Sequence, residues 1–280
     1  MSFVVLVSCV RGAHAAIAYG TAGATYSQNF DTLATTGVDI PWTNDSTIAG
    51  WGLYHVTSNT NSAPVSALFY DASDGSSGFG RFYSFGTNSD RALGSVGNPT
   101  FGSVLDRVNA LPASKPIGWI AASFNNSTGT QLTQFTVKYD GEQWRNAGDN
   151  EPPSAQTMNF EYGFGTSFAA VTTWVAPGSS FNFTSPVFTT TDGPVDGNNA
   201  GRAANLGGTV TNLAWQAGQT LWVRWVENND LGLDAGLAID NFSFSGTLTA
   251  VPEAGAFALA TLICATVGSV SIGKSLFRRR

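Results

Sequence analysis

Carboxylates are the side chains of this chain that are best placed to do chemistry. Asp140 and Glu142 stand two residues apart in "YDGEQWR", with Glu161 and Glu227 further along. A pair of carboxyl groups is what glycoside hydrolysis requires, but no Glu-x-Asp-x-x-Glu strand accompanies these residues. We interpret the Asp-Gly-Glu segment as a turn in which Glu142 pairs with Arg145, and we expect no catalytic activity.

A catalytic triad or a zinc site in the central part of the chain would have to use His55. One histidine cannot supply the two-histidine zinc motif, and no Gly-x-Ser-x-Gly sequence surrounds a serine. His55, in "WGLYHVTS", is predicted to be a hydrogen-bonded structural residue of a strand. Cys9 and Cys264 are the only cysteines and lie near the two ends, so the central domain has no disulfide or thiol chemistry.

Oxygen ligands gather in the stretch "ENNDLGLDAGLAIDN". Asp230, Asp234 and Asp240 are the candidate ligands, because calcium prefers several hard oxygen atoms from a glycine-containing loop. The spacing matches no EF-hand, and a solvated turn between two strands is the alternative. Ca²⁺ is therefore the one cofactor that the sequence suggests.

Asp240 also has a second interpretation. In "LAIDNFSFSG", strand alternation places Asp240 on one face with Ala238, Phe242 and Phe244. A carboxylate among apolar neighbours needs a cation, a metal ion or several hydrogen-bond donors. Arg224, the lone charge in "TLWVRWV", is predicted to pair with Asp240, and calcium is the second choice.

Aromatic residues make up 12% of the chain and include eight tryptophans. Five of them flank predicted loops, where flat rings could stack on sugar rings: Trp42, Trp51, Trp119, Trp144 and Trp174. Tryptophan usually belongs to the core of a domain this rich in aromatic residues. Carbohydrate binding at these rings is therefore an alternative to a purely structural role.

The elements that must position these residues are strands. Only 11% of residues are charged, against about 25% in ordinary soluble proteins. Period-two alternation in "TQFTVKYDG" and "TMNFEYGF" indicates half-buried antiparallel strands. "TLWVRWVEN" is apolar on both faces and is predicted to be a central strand. The sequence favours an all-β fold, with a single jelly-roll-type β-sandwich over residues 16–250.

The charge of this domain restricts its partners. Residues 16–250 carry eight Lys and Arg against 18 Asp and Glu, so their formal net charge is −10. Nucleic acids and anionic membrane surfaces are bound by basic patches. We therefore expect no nucleic-acid partner.

The first 15 residues are predicted to be a signal peptide. An apolar run from Phe3 to Val10 precedes Ala13-His14-Ala15, a small-x-small site, so cleavage is expected between Ala15 and Ala16. "LVSC" offers an alternative, a lipoprotein box in which Cys9 would carry the lipid. Either interpretation makes this an exported protein.

The C-terminal segment 251–280 has three parts. Residues 254–273 contain no charge, and such a helix would be roughly 30 Å long, the thickness of a bilayer core. Lys274, Arg278, Arg279 and Arg280 follow in the basic tail 274–280. Because positive charge resists translocation, the tail is predicted to stay in the cytoplasm while the domain lies outside.

This order resembles the PEP-CTERM sorting signal, which has a short motif, an apolar span and terminal arginines. The motif here is Val251-Pro252-Glu253-Ala254, with Ala254 where the family usually has a second proline. The resemblance implies a bacterium with a Gram-negative-type envelope and processing by an exosortase, a membrane transpeptidase-like enzyme. Stretches such as "YSQNFDTLATTG" and "LWVRWVENNDLGLDAGLAIDNFSF" also resemble exported bacterial proteins with such tails, which implies one continuous jelly-roll-like sandwich.

The sequence as a whole predicts a non-enzymatic structural protein of the cell surface or extracellular matrix. Its expected partners are the exosortase, the inner membrane at least transiently, and exopolysaccharide. The alternative is a calcium-dependent carbohydrate-binding module at the cell surface.

The tail generates a first prediction. We expect the mature protein from its native host to lack the residues from about Ala254 onward, or to stay membrane-held where processing fails. The intact mass of the purified protein measures this. Secreted, water-soluble protein that still carries Arg278 to Arg280 would contradict the sorting hypothesis.

Overall fold

The computed structural model of this protein describes residues 16–56, 58, 63–103, 106–148 and 152–248. The predicted signal peptide and sorting segment, including Ala15 and the motif at 251–254, lie outside these residues. Among the described residues, no helix has the length and apolar character that crossing a bilayer requires. The described strands belong to one compact unit that ends at Thr247.

Short strands dominate the first half of the described chain. They are β1 Ile17–Tyr19, β2 Tyr26–Gln28, β3 Ile40–Pro41, β4 Trp51–Val56, β5 Pro64–Ser66, β6 Phe69–Ser73, β7 Arg81–Phe85 and β8 Ala92–Val96. The second half contains the long strands, two strands of two residues each, and two single-turn 3₁₀ helices at Phe168–Ala170 and Ser179–Phe181. These strands are β9 Lys115–Asn126, β10 Gln134–Asn146, β11 Thr157–Phe164, β12 Phe183–Thr184, β13 Gly193–Pro194, β14 Arg202–Val210, β15 Thr220–Asn229 and β16 Gly236–Thr247.

The strands form two sheets, as the alternating sequence pattern predicts for an all-β fold. The first sheet has the order β12-β11-β15-β9-β4-β5, and β1 pairs with β9. The second sheet has the order β13-β10-β16-β8-β7-β6-β3, while β14 pairs with β10 and β2 with β16. Strand β15 lies between β11 and β9, so the prediction of a central strand is confirmed.

Aromatic side chains fill the space between the two sheets. Phe124 of β9 stacks on Phe244 of β16, with ring centroids 3.9 Å apart. Trp225 of β15 contacts Phe242 of β16 at 5.5 Å and Tyr139 of β10 at 5.3 Å. Rings from both sheets therefore interdigitate, and burial of this apolar area drives the sheets together.

The Asp-Gly-Glu segment is not a turn, which corrects the sequence interpretation. Strand β10 continues without a break from Gln134 to Asn146 because β16 pairs with it on one side and β14 on the other. A bulge occurs between Tyr139 and Gly141 in the pairing with β14. A Cβ atom at Gly141 would clash with the Phe183 ring, which packs directly over the strand. Glycine thus serves close packing here.

A second bulge changes the face on which Asp240 lies. Opposite β10, Lys138 pairs with Ser243 and Asp140 with Asp240, so β16 has one residue more than β10 between these two pairs. Asn241 takes a positive φ of 48° in this bulge. A bulge of this kind shifts the alternation of side chains along the strand.

The predicted shared face of "LAIDNFSFSG" is therefore wrong. Phe242 and Phe244 belong to the core between the sheets, as Ile239 does. Ala238 packs in a separate apolar cluster with Trp144, on the outer face of the second sheet. Asp240 is two residues from Ala238 and precedes the bulge, so it lies on that outer face and not among the core phenylalanines.

The packing over β10 generates a second prediction. Gly141→Ala should lower the free energy of unfolding by about 1–3 kcal/mol, because the new methyl group must displace the Phe183 ring. Gly20→Ala is the matched control, since nothing lies within 4 Å of a Cβ atom there. Chemical denaturation of both variants measures the effect. Equal stability of the two variants would show that residue 141 is in an open turn.

Candidate functional site

A cleft of about 730 Å³ lies at the edge of the second sheet, beside strands β6 and β7. These neighbouring strands run parallel, so the chain must cross over between them, and residues 74–80 make that crossing. The segment 35–39 forms the opposite wall. Gly37 and Asp39 both take positive φ values there, which lets the chain bend sharply around the opening.

Charged side chains form the floor of this cleft. Arg81 of β7 donates from Nη1 to Asp71 Oδ2 at 2.5 Å and to Asp39 Oδ1 at 3.5 Å. The backbone N–H of Asp39 donates to Asp71 Oδ1 at 2.8 Å. Arg81 is only 8% exposed, and its Nε is buried without a hydrogen-bond partner among the described residues. The floor thus combines carboxylate acceptors with the guanidinium that holds them in place.

Apolar side chains form the rim. Phe79 is 69% exposed and Val38 is 72% exposed, although both are large hydrophobic residues. The Phe79 ring lies over the Arg81 guanidinium, with 5.9 Å between the ring centroid and Cζ. Exposed rings beside a polar cavity are typical of binding sites, because the ring gains contact area when a ligand arrives.

Hydroxyl groups complete the lining. The Tyr83 hydroxyl donates to the Phe79 carbonyl at 2.8 Å and lies 2.8 Å from Ser77 Oγ. Burial raises the pKa of Tyr83 to about 12, so this group stays protonated at neutral pH. The cleft offers donors, acceptors and one flat ring, a combination that suits a ligand bearing both hydroxyl groups and C–H faces.

The sequence analysis missed this cleft, because Asp39, Asp71 and Arg81 come from three separate segments. One signal was present in the sequence. Arg81 begins the apolar stretch "RFYSF" and is one of only eight basic residues between 16 and 250. A charge at the start of a buried strand predicts a partner, although it does not say which residue that partner is.

The predicted carboxylate pair, Asp140 and Glu142, lies outside the cleft, on the outer face of the second sheet. Asp140 Oδ2 accepts from Arg202 Nη2 at 2.7 Å and from Asn241 Nδ2 at 3.1 Å, and Oδ1 accepts from the Asn205 N–H at 2.8 Å. Burial opposes ionisation, but these hydrogen bonds outweigh it and hold the pKa of Asp140 below its usual value. Asp140 is thus a structural carboxylate.

The sequence interpretation paired Glu142 with Arg145, and this pairing is wrong. Its Oε2 accepts from Trp144 Nε1 at 2.9 Å, while Arg145 forms an ion pair with Asp192. Glu142 is 2% exposed, and burial raises its pKa to about 8, with a smaller contribution from Asp240. The indole donor faces Glu142 because both residues point to the same side of β10.

The predicted Arg224–Asp240 pair is also wrong. Arg224 belongs to β15 in the first sheet and binds Glu161 Oε2, at 2.5 Å from Nη2 and 2.7 Å from Nε. Its guanidinium also lies 3.8 Å from the centroid of the Trp174 ring. Asp240 is in register with Asp140 in the second sheet. The two residues therefore lie in different sheets, which a strand pattern cannot reveal.

Asp240 has Arg202 in its surroundings, but this cation does not hold the pKa of the buried carboxyl group at its usual value. It is 2% exposed, and its Oδ1 has no hydrogen-bond partner among the described residues. Burial raises the pKa of Asp240 to about 7, and Asp90, Asp31 and Asp140 act in the same direction. Burial therefore favours the neutral form of Asp240, and the expected partner Arg224 pairs with Glu161.

The three predicted calcium ligands do not form one site. Asp230 and Asp234 lie in the loop between β15 and β16, where Asp234 Oδ1 accepts from the Asp230 N–H at 2.6 Å. Asp240 lies inside β16, opposite Asp140. No group of three His, Cys, Asp or Glu in the described part of the chain could hold a metal ion. The side chain of Asp234 thus stabilises the loop, but because Asp234 is buried the loop is not the solvated turn of the alternative interpretation.

Other candidate residues have structural environments. His55 is buried in β4, with Nε2 3.6 Å from Asp106 Oδ2, and burial lowers its pKa against the pull of that carboxylate. Glu227 is buried and accepts from Ser95 Oγ at 2.5 Å, and burial raises its pKa well above the usual range. Glu161 is the partner of Arg224. The four acids named in the sequence analysis thus do not form a facing pair.

The tryptophans are mainly core residues, as the pattern favours. Four of the five that flank predicted loops are buried, namely Trp42, Trp51, Trp119 and Trp144. Trp174 is half-buried beneath Arg224. The exposed ring at the cleft belongs to Phe79 instead.

No family model and no curated protein matches the sequence. Among solved structures, the CBM22-1 xylan-binding domain from Paenibacillus barcinonensis Xyn10C is similar with a TM-score of 0.38 and 12% identity, over 82% of this chain and 99% of that one. TmCBM61 in complex with β-1,4-galactotriose has a TM-score of 0.25 and 8% identity, over 57% and 73%. Both similarities are distant.

The buried acids generate a third prediction. The folded state keeps a proton on Glu142 up to about pH 8, whereas an ordinary glutamate releases it near 4.5. Stability should therefore fall as pH rises between these values, by up to about 1.4 kcal/mol per pH unit for each such carboxyl group.

Glu142→Gln should flatten this dependence, because the amide oxygen can still accept from Trp144 and cannot ionise. Asp196→Asn is the control, since Asp196 is an exposed loop acid. Thermal melts between pH 4.5 and 8 measure the slope. An unchanged slope in Glu142→Gln would mean that this carboxyl group is solvated.

Proposed function

We propose that this chain is an exported, non-catalytic protein of the bacterial cell surface that binds carbohydrate through the cleft around Arg81. The observation that carries the proposal is the pairing of a fixed polar floor with an exposed ring at one opening. The volume of the cleft, about 730 Å³, falls within the range of about 300–1,000 Å³ that is usual for small-molecule sites.

The chemistry of sugars fits both parts of this cleft. Their hydroxyl groups can donate hydrogen bonds to the carboxylate oxygens of the floor, which are held in a fixed geometry. Asp71 is buried, and its contacts with Arg81 and the Asp39 N–H hold it in place. The apolar faces of sugar rings can stack on Phe79, which is otherwise left in water. Little reorganisation is needed, and this favours binding.

Binding without turnover is supported by where the acids lie. Hydrolysis needs a carboxylic acid with a raised pKa, facing a carboxylate across the substrate. Four acids have raised pKa values, namely Glu142, Glu227, Asp230 and Asp240, and none of them lines the cleft. Asp71 and Asp39 are both engaged by the same guanidinium.

The sequence supplies the rest of the proposal. A signal peptide at 1–15 would export the chain, and the sorting segment 251–280 would hold it at the inner membrane until an exosortase processes it. We place the two-sheet domain in the jelly-roll class. Exopolysaccharide at the cell surface is then the proposed ligand of the cleft. The proposed binding does not involve calcium.

Phe79→Ala gives the fourth prediction and tests the proposal. We expect this variant to bind the exopolysaccharide of the native host at least about tenfold more weakly, a loss of about 1.4 kcal/mol. Phe188→Ala is the matched control, because Phe188 is also an exposed phenylalanine and does not line the cleft.

Affinity electrophoresis measures the binding, and an assay for newly formed reducing ends runs beside it. Binding of the wild type without new reducing ends is the expected result. Equal binding by both variants would contradict the role of the cleft, and steady release of reducing ends would contradict the absence of catalysis.

A further inference from the structure

We infer that the Arg81 cleft selects neutral polysaccharides and rejects those that carry uronic acids. This inference rests on the proposed function and names its ligand class. The cleft is lined by three carboxylates, Asp39, Asp71 and Asp74, and by one guanidinium, that of Arg81. The net charge of the lining is therefore negative, even though an arginine lies on its floor.

Arg81 cannot serve as a receptor for a ligand carboxylate, because the protein already uses its charge. Its Nη1 holds Asp71 at 2.5 Å and also reaches Asp39. Nε is buried. A ligand anion would have to compete with two carboxylates fixed in place, whereas a hydroxyl group needs only a donor or an acceptor.

Asp74 adds a third negative charge to the cleft lining, and none of the ion pairs among the described residues involves it. Its Oδ1 accepts from the Ser76 N–H at 3.0 Å. Hydrogen bonds from the hydroxyl and N–H of Ser76 hold the pKa of Asp74 below its usual value, so it is ionised across the neutral range. Asp74 is exposed and lines the cleft.

A second arginine braces the same loop without changing this balance. Arg145 Nη1 donates to the carbonyls of Gly75 at 3.2 Å and Ser76 at 3.1 Å. Its charge is matched by the ion pair with Asp192. Arg145 thus positions the backbone next to Asp74. Its positive charge is offset by Asp192, so the net charge around the cleft stays negative.

Two physical effects then discriminate between the ligand classes. A uronate carboxylate would approach like charges in a partly buried site, where repulsion is stronger than in water. It can also only accept hydrogen bonds, so it cannot pair with the carboxylate oxygens of Asp39 and Asp74, whereas a neutral sugar donates its hydroxyl protons to them. Rejection by repulsion is a common source of specificity.

Matched polymers test the inference as the fifth prediction. The probes are hydroxyethyl cellulose and galactomannan, each before and after oxidation of its primary hydroxyl groups to carboxylates. Wild-type protein should bind at least one neutral polymer, and oxidation should weaken that binding at least about tenfold at low salt. High salt should narrow the difference, because it screens the repulsion.

Asp39→Asn is the informative variant. Asparagine tolerates the positive φ of 51° at this position and keeps the size of the side chain, while the charge is lost and two N–H donors replace one acceptor oxygen. We expect this variant to discriminate less between the neutral and oxidised polymers. Asp196→Asn, which removes a charge from an exposed loop residue that does not line the cleft, should discriminate as the wild type does.

The outcomes separate the two proposals. Oxidised polymers that bind as tightly as the neutral ones would overturn the inference and leave carbohydrate binding intact. Unchanged discrimination in Asp39→Asn would overturn the assignment of selectivity to the cleft. Failure of all four polymers to bind would count against the proposed function itself, and the inference would fall with it.

Discussion

The ladder between β10 and β16 runs from the pair Gln134–Thr247 to the pair Arg145–Gly236, and the second sheet is built outward from it. Strand β8 joins β16, β7 joins β8, and β6 joins β7. The cleft lies beside β6 and β7, at the far end of this series. The position of its floor therefore depends on the pairing of β10 with β16. Bulges within the ladder decide which side chains turn inward and which turn outward.

Those bulges explain an unusual distribution of acids. Glu142 and Asp240 lie on the outer face of the second sheet and are nevertheless buried. Each has a raised pKa mainly because burial disfavours the charged form of the carboxyl group. Asp140, on the same strand as Glu142, has Arg202 and two other donors and stays ionised. Neighbouring carboxyl groups thus differ in charge because their donors differ.

Only 11% of the residues are charged. The cleft and the cluster of Asp140, Glu142 and Asp240 use these charges in two different ways. In the cluster, buried acids are tolerated and weaken the fold as they ionise. In the cleft, Arg81 and Asp71 neutralise each other on the floor, and Asp39 and Asp74 add negative charge to the lining. The paired strands β6 and β7 hold the floor of the cleft, while loop residues form its rim.

The sequence alone determined the features that depend on near neighbours along the chain. Alternation predicted β10 and β11, the two-faced apolar pattern predicted the central position of β15, and the abundance of aromatic residues predicted that the tryptophans would be core. Each follows from burial, which repeats with the period of a strand. The sequence also carries the export and sorting hypotheses, which concern residues outside the described structure.

Only the tertiary structure decided the partners of the charged residues. Arg224 faces Glu161 instead of Asp240, and Asp71, Asp39 and Arg81 meet across three segments. A β-bulge forms where one of two paired strands has an extra residue between two pairs. The alternation of residues within one strand does not reveal its register with the neighbouring strand. The face of Asp240 and the existence of the cleft were therefore beyond the reach of the sequence pattern, because both depend on contacts between residues far apart in the chain.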